Sequence, residues 1–468
     1  MLERFSCLLG ALVALAFIGC DSTVSSDYSS PTENDSQPMS LYDAEFLYNY
    51  KLLDIFYYNA HIRNELEDHV SAYYQKGSAA DVGKSGCTEG YYDICYMYKQ
   101  MSDHYTRYFD PFYAAEVYNS YVKTEDVVGI GAFVEEKKDE SGSRLVVSQV
   151  YRKSPADKAD IEKGDVIVSV DEAVPATVSN FEKLIGGAIG DTIRLVVLRG
   201  KDTLSKDVVL EEFLEPSVFV TYEDSIPVIQ ITTFVSKSVS DSGTYGEFID
   251  ALKETEGAKS TIIDLRQNLG GIVTQCNDIS AEFLNKGDTI IVDVEAMLDS
   301  IEVNDSVQYV QGFDTLTITA AEDGIGRNRY YVLLADTATA SCAEVVLSAV
   351  SINKKAPIVG MISYGKAIRQ LLHPTEYANG LAIITDAVAY DKNFDCYHDK
   401  GIVPDYAIGN PDEMMKKAVE LAKGGSEKRT AGYGTKNLNH FSKRKAFEET
   451  PENYKKAFGR VHFAKWPR

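Results

Sequence analysis

Apolar residues follow a different rule in each successive stretch of this chain. Residues 8–18 are almost wholly Leu, Ala, Val, Phe and Ile. That is about the length of a signal-peptide core and too short to span a bilayer as a helix. Residues 21–39 lose every hydrophobic period and are rich in Ser, Asp, Thr, Asn and Pro, the composition of a flexible tether. From 41 to about 121 the apolar residues recur at threes and fours, as in Leu41, Phe46, Leu47, Tyr50, Leu53 and Tyr57. This period predicts helices, and their tyrosine-rich stripes predict a core. From 127 to about 212 the period shortens. Runs at 145–150, 165–170 and 193–198, bounded by turn residues, predict strands, and 154–159 and 179–184 predict short helices that each open on a Ser N-cap. Beyond about 216, strands expected at 228–231, 260–265, 289–294, 330–335, 357–362 and 381–387 alternate with helices expected at 239–254, 273–285 and 342–352. Such alternation predicts an α/β domain.

These boundaries divide the chain into a signal (1–20), a tether (21–39), a helical N-terminal domain (40–122), a small β-rich domain (123–212), an α/β domain (213–425) and a polar tail (426–468). A length of 468 residues suits such a multidomain organisation. The formal charge of −23 argues against nucleic acid as a partner, because phosphate binding needs a basic face. The charge is uneven: residues 411–468 carry 14 Lys or Arg against 7 Asp or Glu, a net of +7, so the preceding residues carry −30. A solvated basic tail accounts for this.

At the end of the apolar run, Phe17-Ile18-Gly19-Cys20 resembles a bacterial lipoprotein box. The resemblance implies that Cys20 is acylated and anchors the chain to a membrane in the cell envelope, facing the periplasm or the exterior. Of the seven cysteines, Cys7 lies in the signal, which leaves Cys87, Cys95, Cys276, Cys342 and Cys396. In an oxidising compartment Cys87 and Cys95 could close a short loop, but sequence does not set the pairing. The spacings do not form a zinc site, and no metal or cofactor is expected.

Three segments carry candidate chemistry. Residues 264–271, Asp-Leu-Arg-Gln-Asn-Leu-Gly-Gly, end an apolar strand in a glycine pair just before a helix. Backbone there can approach a ligand and direct the Gly270 and Gly271 N–H groups at an oxyanion, although alone such a pair also serves as a helix-entry turn. Residues 337–344, Thr-Ala-Thr-Ala-Ser-Cys-Ala-Glu, place Ser341 between a strand and a helix, where the helix N-terminus and the Cys342 N–H favour developing negative charge. Read alone, Ser341 is equally an N-cap, with Glu344 completing a capping box. A base decides between these, and Lys366 supplies one, with Gln370 four residues on to orient its amine. A desolvated Lys can take the proton of a Ser hydroxyl without any His. His373 is expected in a surface or core role.

Two resemblances join these segments. Gly129-Ile130-Gly131-Ala132-Phe133, Ser154-Pro155-Ala156 and residues 163–167 resemble the carboxylate-binding loop, first helix and signature turn of a PDZ domain. Glycine in that loop lets backbone N–H groups turn toward a peptide carboxylate while the next strand takes the peptide by β-augmentation. The motifs at 264–271, 339–344, 365–370 and 401–405 are similar to those of the carboxy-terminal processing peptidases, with Lys366 following Ser341 by 25 residues. That resemblance implies a crotonase- or ClpP-like catalytic fold, endoproteolysis near the C-termini of protein or peptide substrates, a Ser341/Lys366 mechanism with Gln370 in support, and an oxyanion hole of Gly270, Gly271 and Cys342. Cys342 stands where the motif usually has Ala, and Ala367 where it has Gly. The alternative from another class is an inactive relative that only binds peptide tails. A crotonase-type acyl-CoA enzyme rests on fold analogy alone and leaves the PDZ-like segment unexplained.

Overall fold

A computed structural model of the chain describes residues 40–58, 65–67, 69–82, 87–139, 142–303 and 306–424. The expected signal with Cys20, the tether and the basic tail lie outside the described residues. Among those residues, no helix is long and apolar enough to cross a membrane. The chain folds as a multidomain α/β protein.

A six-stranded sheet organises the region from residue 218 to 424. Its order is Tyr406–Ala407, Ile358–Gly360, Tyr330–Ala335, Ser260–Asp264, Ile226–Ile231 and Val218–Glu223, parallel except for the last hairpin. Ser260–Asp264 is buried at every position, as a strand covered on both faces should be. Alternation sorts its neighbours between two cores. Ile229, Ile263 and Leu333 meet helices Gly243–Glu254, Val273–Ala281 and Cys342–Lys354 through Phe248, Ile279 and Val346. Val228, Ile262, Val332 and Val359 meet the last helix, Pro411–Gly424, through Met414 and Ala418.

A second sheet stands beside it. Leu381–Tyr390 is its spine: Ile368–Pro374 pairs along one edge, while the other takes Arg107–Phe109 at one end and Thr289–Val303 at the other. Thr289–Val303 in turn forms a long hairpin with Ser306–Thr319. Arg107–Phe109 belongs to the N-terminal region, which is therefore not purely helical. Its helix Leu41–Phe56, capped by Ser40 through Asp43 N–H, buries Phe46, Tyr50 and Leu53 with Tyr57 against Tyr98 of helix Tyr92–Lys99 and against Tyr108 and Ile384 of the second sheet.

The small β-rich region has its own five-stranded sheet, in the order Ala132–Asp139, Gly142–Val150, Val166–Val170, Thr192–Arg199 and Asp202–Val209, and its own core around Val147, Leu195 and Phe181. Ser154 caps helix Pro155–Lys158 as expected. The next helix, Val178–Leu184, is capped by Thr177 rather than Ser179, because Thr177 holds the extended backbone that lets its hydroxyl accept from Asn180 N–H at 3.1 Å.

Candidate active site

Three loops leave the C-terminal ends of the parallel strands Ser260–Asp264, Tyr330–Ala335 and Ile358–Gly360 and meet above the sheet, where open α/β sheets bind ligands. Asn268 shapes the first loop. It is fully buried, its Nδ2 donates to Ile231 C=O at 2.8 Å, its Oδ1 accepts from Gly270 N–H at 2.8 Å, and its own C=O accepts from Ala340 N–H at 2.9 Å. The first loop is thus tied to the residue just before Ser341. Gly270 has φ 100°, and a Cβ on it would lie 2.7 Å from Ser341 Cβ and 3.0 Å from Cys342 N, so only glycine permits this approach.

One expectation is corrected here. The Gly270 N–H is committed to Asn268, so Gly270 provides clearance and not an oxyanion donor. Gly270 C=O and Ile272 N–H both pair with Phe234, which leaves the Gly271 N–H outside that bridge. The Cys342 N–H opens helix Cys342–Lys354, where first-turn donors have no partner within the helix.

Ser341 has φ 54° and ψ −120°. An N-cap residue ordinarily sits in the β region, and a non-glycine residue held so far from it costs about 1–3 kcal/mol, a strain concentrated at functional sites. Its N–H donates to Glu344 Oε2 at 2.9 Å. That oxygen also accepts from Lys366 N–H at 2.7 Å, while Oε1 accepts from Gly365 N–H at 2.7 Å and from the Ser363 hydroxyl at 2.5 Å. One buried carboxylate therefore clamps the backbones of the serine and the lysine. Burial pushes the Glu344 carboxyl above its ordinary value, and the four hydrogen bonds pull it back.

The lysine loop is held from its other side as well. Ile402 N–H donates to the Ser363 hydroxyl at 2.6 Å, Asp399 N–H to Gly365 C=O at 2.8 Å, and Ile358 N–H to Asp405 at 2.8 Å, which gives the 401–405 motif its task. The Lys366 ammonium group lies 4.6 Å from the centre of the Tyr105 ring, a residue of the N-terminal region. Gln370 lies in strand Ile368–Pro374 with its amide nitrogen 3.5 Å from the Thr385 hydroxyl, which donates to Asp103 at 3.0 Å. His373 stacks on Tyr48 and is half-buried, and the desolvation lowers its pKa, which fits a packing role.

Sequence reasoning gave Glu344 only its capping role, because its other donors lie 19 to 22 residues downstream. Tyr105 had no signal at all. The cysteines are paired as Cys87–Cys95 and Cys276–Cys342.

In the β-rich region, Gly129 ends strand Asp126–Gly129, Ile130 is buried, and Gly131, at φ 70°, sits where a Cβ would meet Ser154 at 2.2 Å. Ala132 opens strand Ala132–Asp139, the edge of its sheet, with helix Val178–Leu184 beside it. Phe133 remains half-exposed against the Tyr151 ring.

Comparison with known proteins agrees with these two units. The model of peptidase family S41 matches residues 225–408, and that of a PDZ domain matches residues 128–210. The chain is 30% identical over 352 residues to the carboxy-terminal processing protease CtpA of Bacillus subtilis, covering 73% of this chain and 67% of that protein. It is 26% identical over 358 residues to a probable CtpA-like serine protease of Staphylococcus haemolyticus, where the match spans 65% of that relative's length. The structure of a photosystem II D1 C-terminal processing protease aligns over 80% of this chain and 94% of its own, with a TM-score of 0.44 at 18% identity, a likeness too loose to argue from. Given the family match across the strands and loops just described, and the identity shared with the Bacillus subtilis protein, the chain belongs to peptidase family S41.

Proposed function

We propose that this protein is a serine endopeptidase that cleaves protein substrates near their C-termini, with Ser341 as nucleophile and Lys366 as general base. The observation that carries this reading is the Glu344 clamp, which holds the backbones of Ser341 and Lys366 on one carboxylate oxygen. The neutral Lys366 amine takes the Ser341 hydroxyl proton as Oγ attacks the scissile carbonyl. The tetrahedral oxyanion accepts hydrogen bonds from the Gly271 and Cys342 N–H groups. Collapse expels the amine, which receives its proton from Lys366, and water then attacks the acyl-enzyme with Lys366 again as base. Gln370 orients the amine.

Substrate tails would add to the open edge of Ala132–Asp139 as a further strand, with the terminal carboxylate at Gly129–Phe133. Acylation of Cys20 would hold the enzyme at a membrane of the cell envelope. Cys20→Ala should release it into the soluble fraction, and continued membrane partitioning at normal mature mass would contradict the anchor.

A fluorophosphonate probe tests the mechanism. Labelling should map to Ser341 and vanish in Ser341→Ala, whereas a purely peptide-binding relative would take up no label.

A further inference from the structure

The two N–H groups assigned to the oxyanion belong to segments joined by a disulfide. Cys276 lies in the first turn of helix Val273–Ala281, which begins two residues after Gly271. Cys342 directly follows Ser341 and opens helix Cys342–Lys354. Their Cα atoms are 5.5 Å apart, within the span of such a bond, and both residues are buried at 0% and 2% exposure. Neither side chain has any part in the reaction as written above.

The two oxyanion segments are also tied on the strand side, by hydrogen bonds from Ala340 N–H to Asn268 C=O at 2.9 Å, from the Thr339 hydroxyl to Leu265 C=O at 2.9 Å and from Gln267 N–H to Asp336 at 3.1 Å. The disulfide ties them on the helix side. Gly271 and Cys342 thus lie between polar ties and a covalent one. Cys342 also stands where the resembled motif usually has Ala, so the covalent tie is a feature of this chain.

We infer that the Cys276–Cys342 disulfide is a positioning element of the oxyanion site, holding the Gly271 and Cys342 N–H groups at a fixed separation, so that turnover depends on the oxidation state of the pair. The inference rests on the Ser341/Lys366 reading. Forming the bond joins the two Sγ atoms and releases two protons and two electrons. A disulfide-bearing thiol oxidant takes these up and leaves as two thiols, and a dithiol reductant reverses the exchange. Small errors in donor placement are costly: removing one oxyanion donor lowers turnover about 10²–10³-fold, so loosening one should cost about tenfold.

The test uses the full purified chain. Non-reducing peptide mapping should find Cys276 linked to Cys342. Cys276→Ala should lower kcat about tenfold with KM changed less than about twofold, since substrate is held elsewhere. Dithiothreitol should bring the unmodified chain to the same kcat and leave the variant's kcat unchanged. A merely structural bond would instead lower the thermal midpoint of Cys276→Ala while leaving its kcat at the original value, and that result would overturn the inference. So would finding both thiols open to alkylation in the native, unreduced chain. If Cys276→Ala does not fold, the rate at which a fluorophosphonate phosphonylates Ser341 in the unmodified chain, before and after reduction of the pair, decides the same point: a rate lowered about tenfold by reduction supports the inference and an unchanged rate overturns it. Ser341→Ala run alongside separates the two readings. Cleavage surviving in it overturns both, whereas its loss together with unchanged kcat in Cys276→Ala overturns only the role of the disulfide.

Discussion

At the scale of single residues, Glu344 does more than its place in the sequence suggested. Four donors converge on its carboxylate, two on each oxygen. A glutamine there would keep the volume but present an amide NH2 to two of those donors. Glu344→Gln should therefore destabilise the fold by about 2–4 kcal/mol, the scale of leaving buried donors unpaired, and lower kcat far more than it raises KM. Urea unfolding and steady-state kinetics on the same preparation check both parts. Unchanged stability would mean that the carboxylate is not the clamp. Asn268 acts in a similar way with neutral groups: its side chain fixes the glycine turn from within, and its backbone fixes Ala340.

At the scale of elements, the parallel sheet was legible because Tyr330–Ala335 is apolar at nearly every position, as a strand with two covered faces must be, and because Ile262, Ile263 and Leu265 give the neighbouring strand a short apolar run. The second sheet was harder to read. Ile368–Pro374 carries a bulge between Arg369 and Gln370, which breaks the alternation that marks a strand. Beyond Glu295, strand Thr289–Val303 pairs with Ser306–Thr319. Arg369 anchors this sheet through Asp293 at 2.9 Å, Asp386 at 2.5 Å and Glu295 at 2.5 Å. Three carboxylates share one guanidinium, and burial followed by the neighbouring acids pushes Asp293 up to about 6 despite Arg369. Its folded value lies above its unfolded one, so the folded state binds the extra proton. Stability from this group is greatest at low pH, falls as pH rises from about 4 to about 6, and stays low above that. Asp293→Asn, which mimics the protonated form, should stabilise the protein by about 1–2 kcal/mol at pH 7.5 and by almost nothing at pH 4, read from denaturant midpoints. A gain that grows toward low pH would reverse the assignment.

At the scale of the whole molecule, one strand ahead of the expected division at about residue 122 pairs with a strand beyond it. Arg107–Phe109 is only three residues long, too short for a strand pattern, yet it adds to the second sheet, and Tyr105 just before it reaches Lys366. Residues with no sequence signal thus complete the surroundings of Lys366. The β-rich region, in contrast, was legible as a unit because its short strands and turns enclose their own core. Its edge strand Ala132–Asp139 leads to a prediction about recognition: peptides with free C-termini should bind the intact protein better than the same peptides amidated, because amidation removes the charge that backbone N–H groups at Gly129–Phe133 would hold. Equal affinity in a titration would exclude tail recognition at this site.

The central claim is that a neutral Lys366 activates Ser341, and the most direct measurement is cleavage of an unstructured peptide by the purified protein across a range of pH, beside Ser341→Ala and Lys366→Arg. A guanidinium keeps the positive charge but does not deprotonate in this range, so charge and base function separate cleanly. The account predicts a rate that rises with pH, is indifferent to metal chelators, and is lost in both variants while their folding is retained. Full activity in either variant would contradict it.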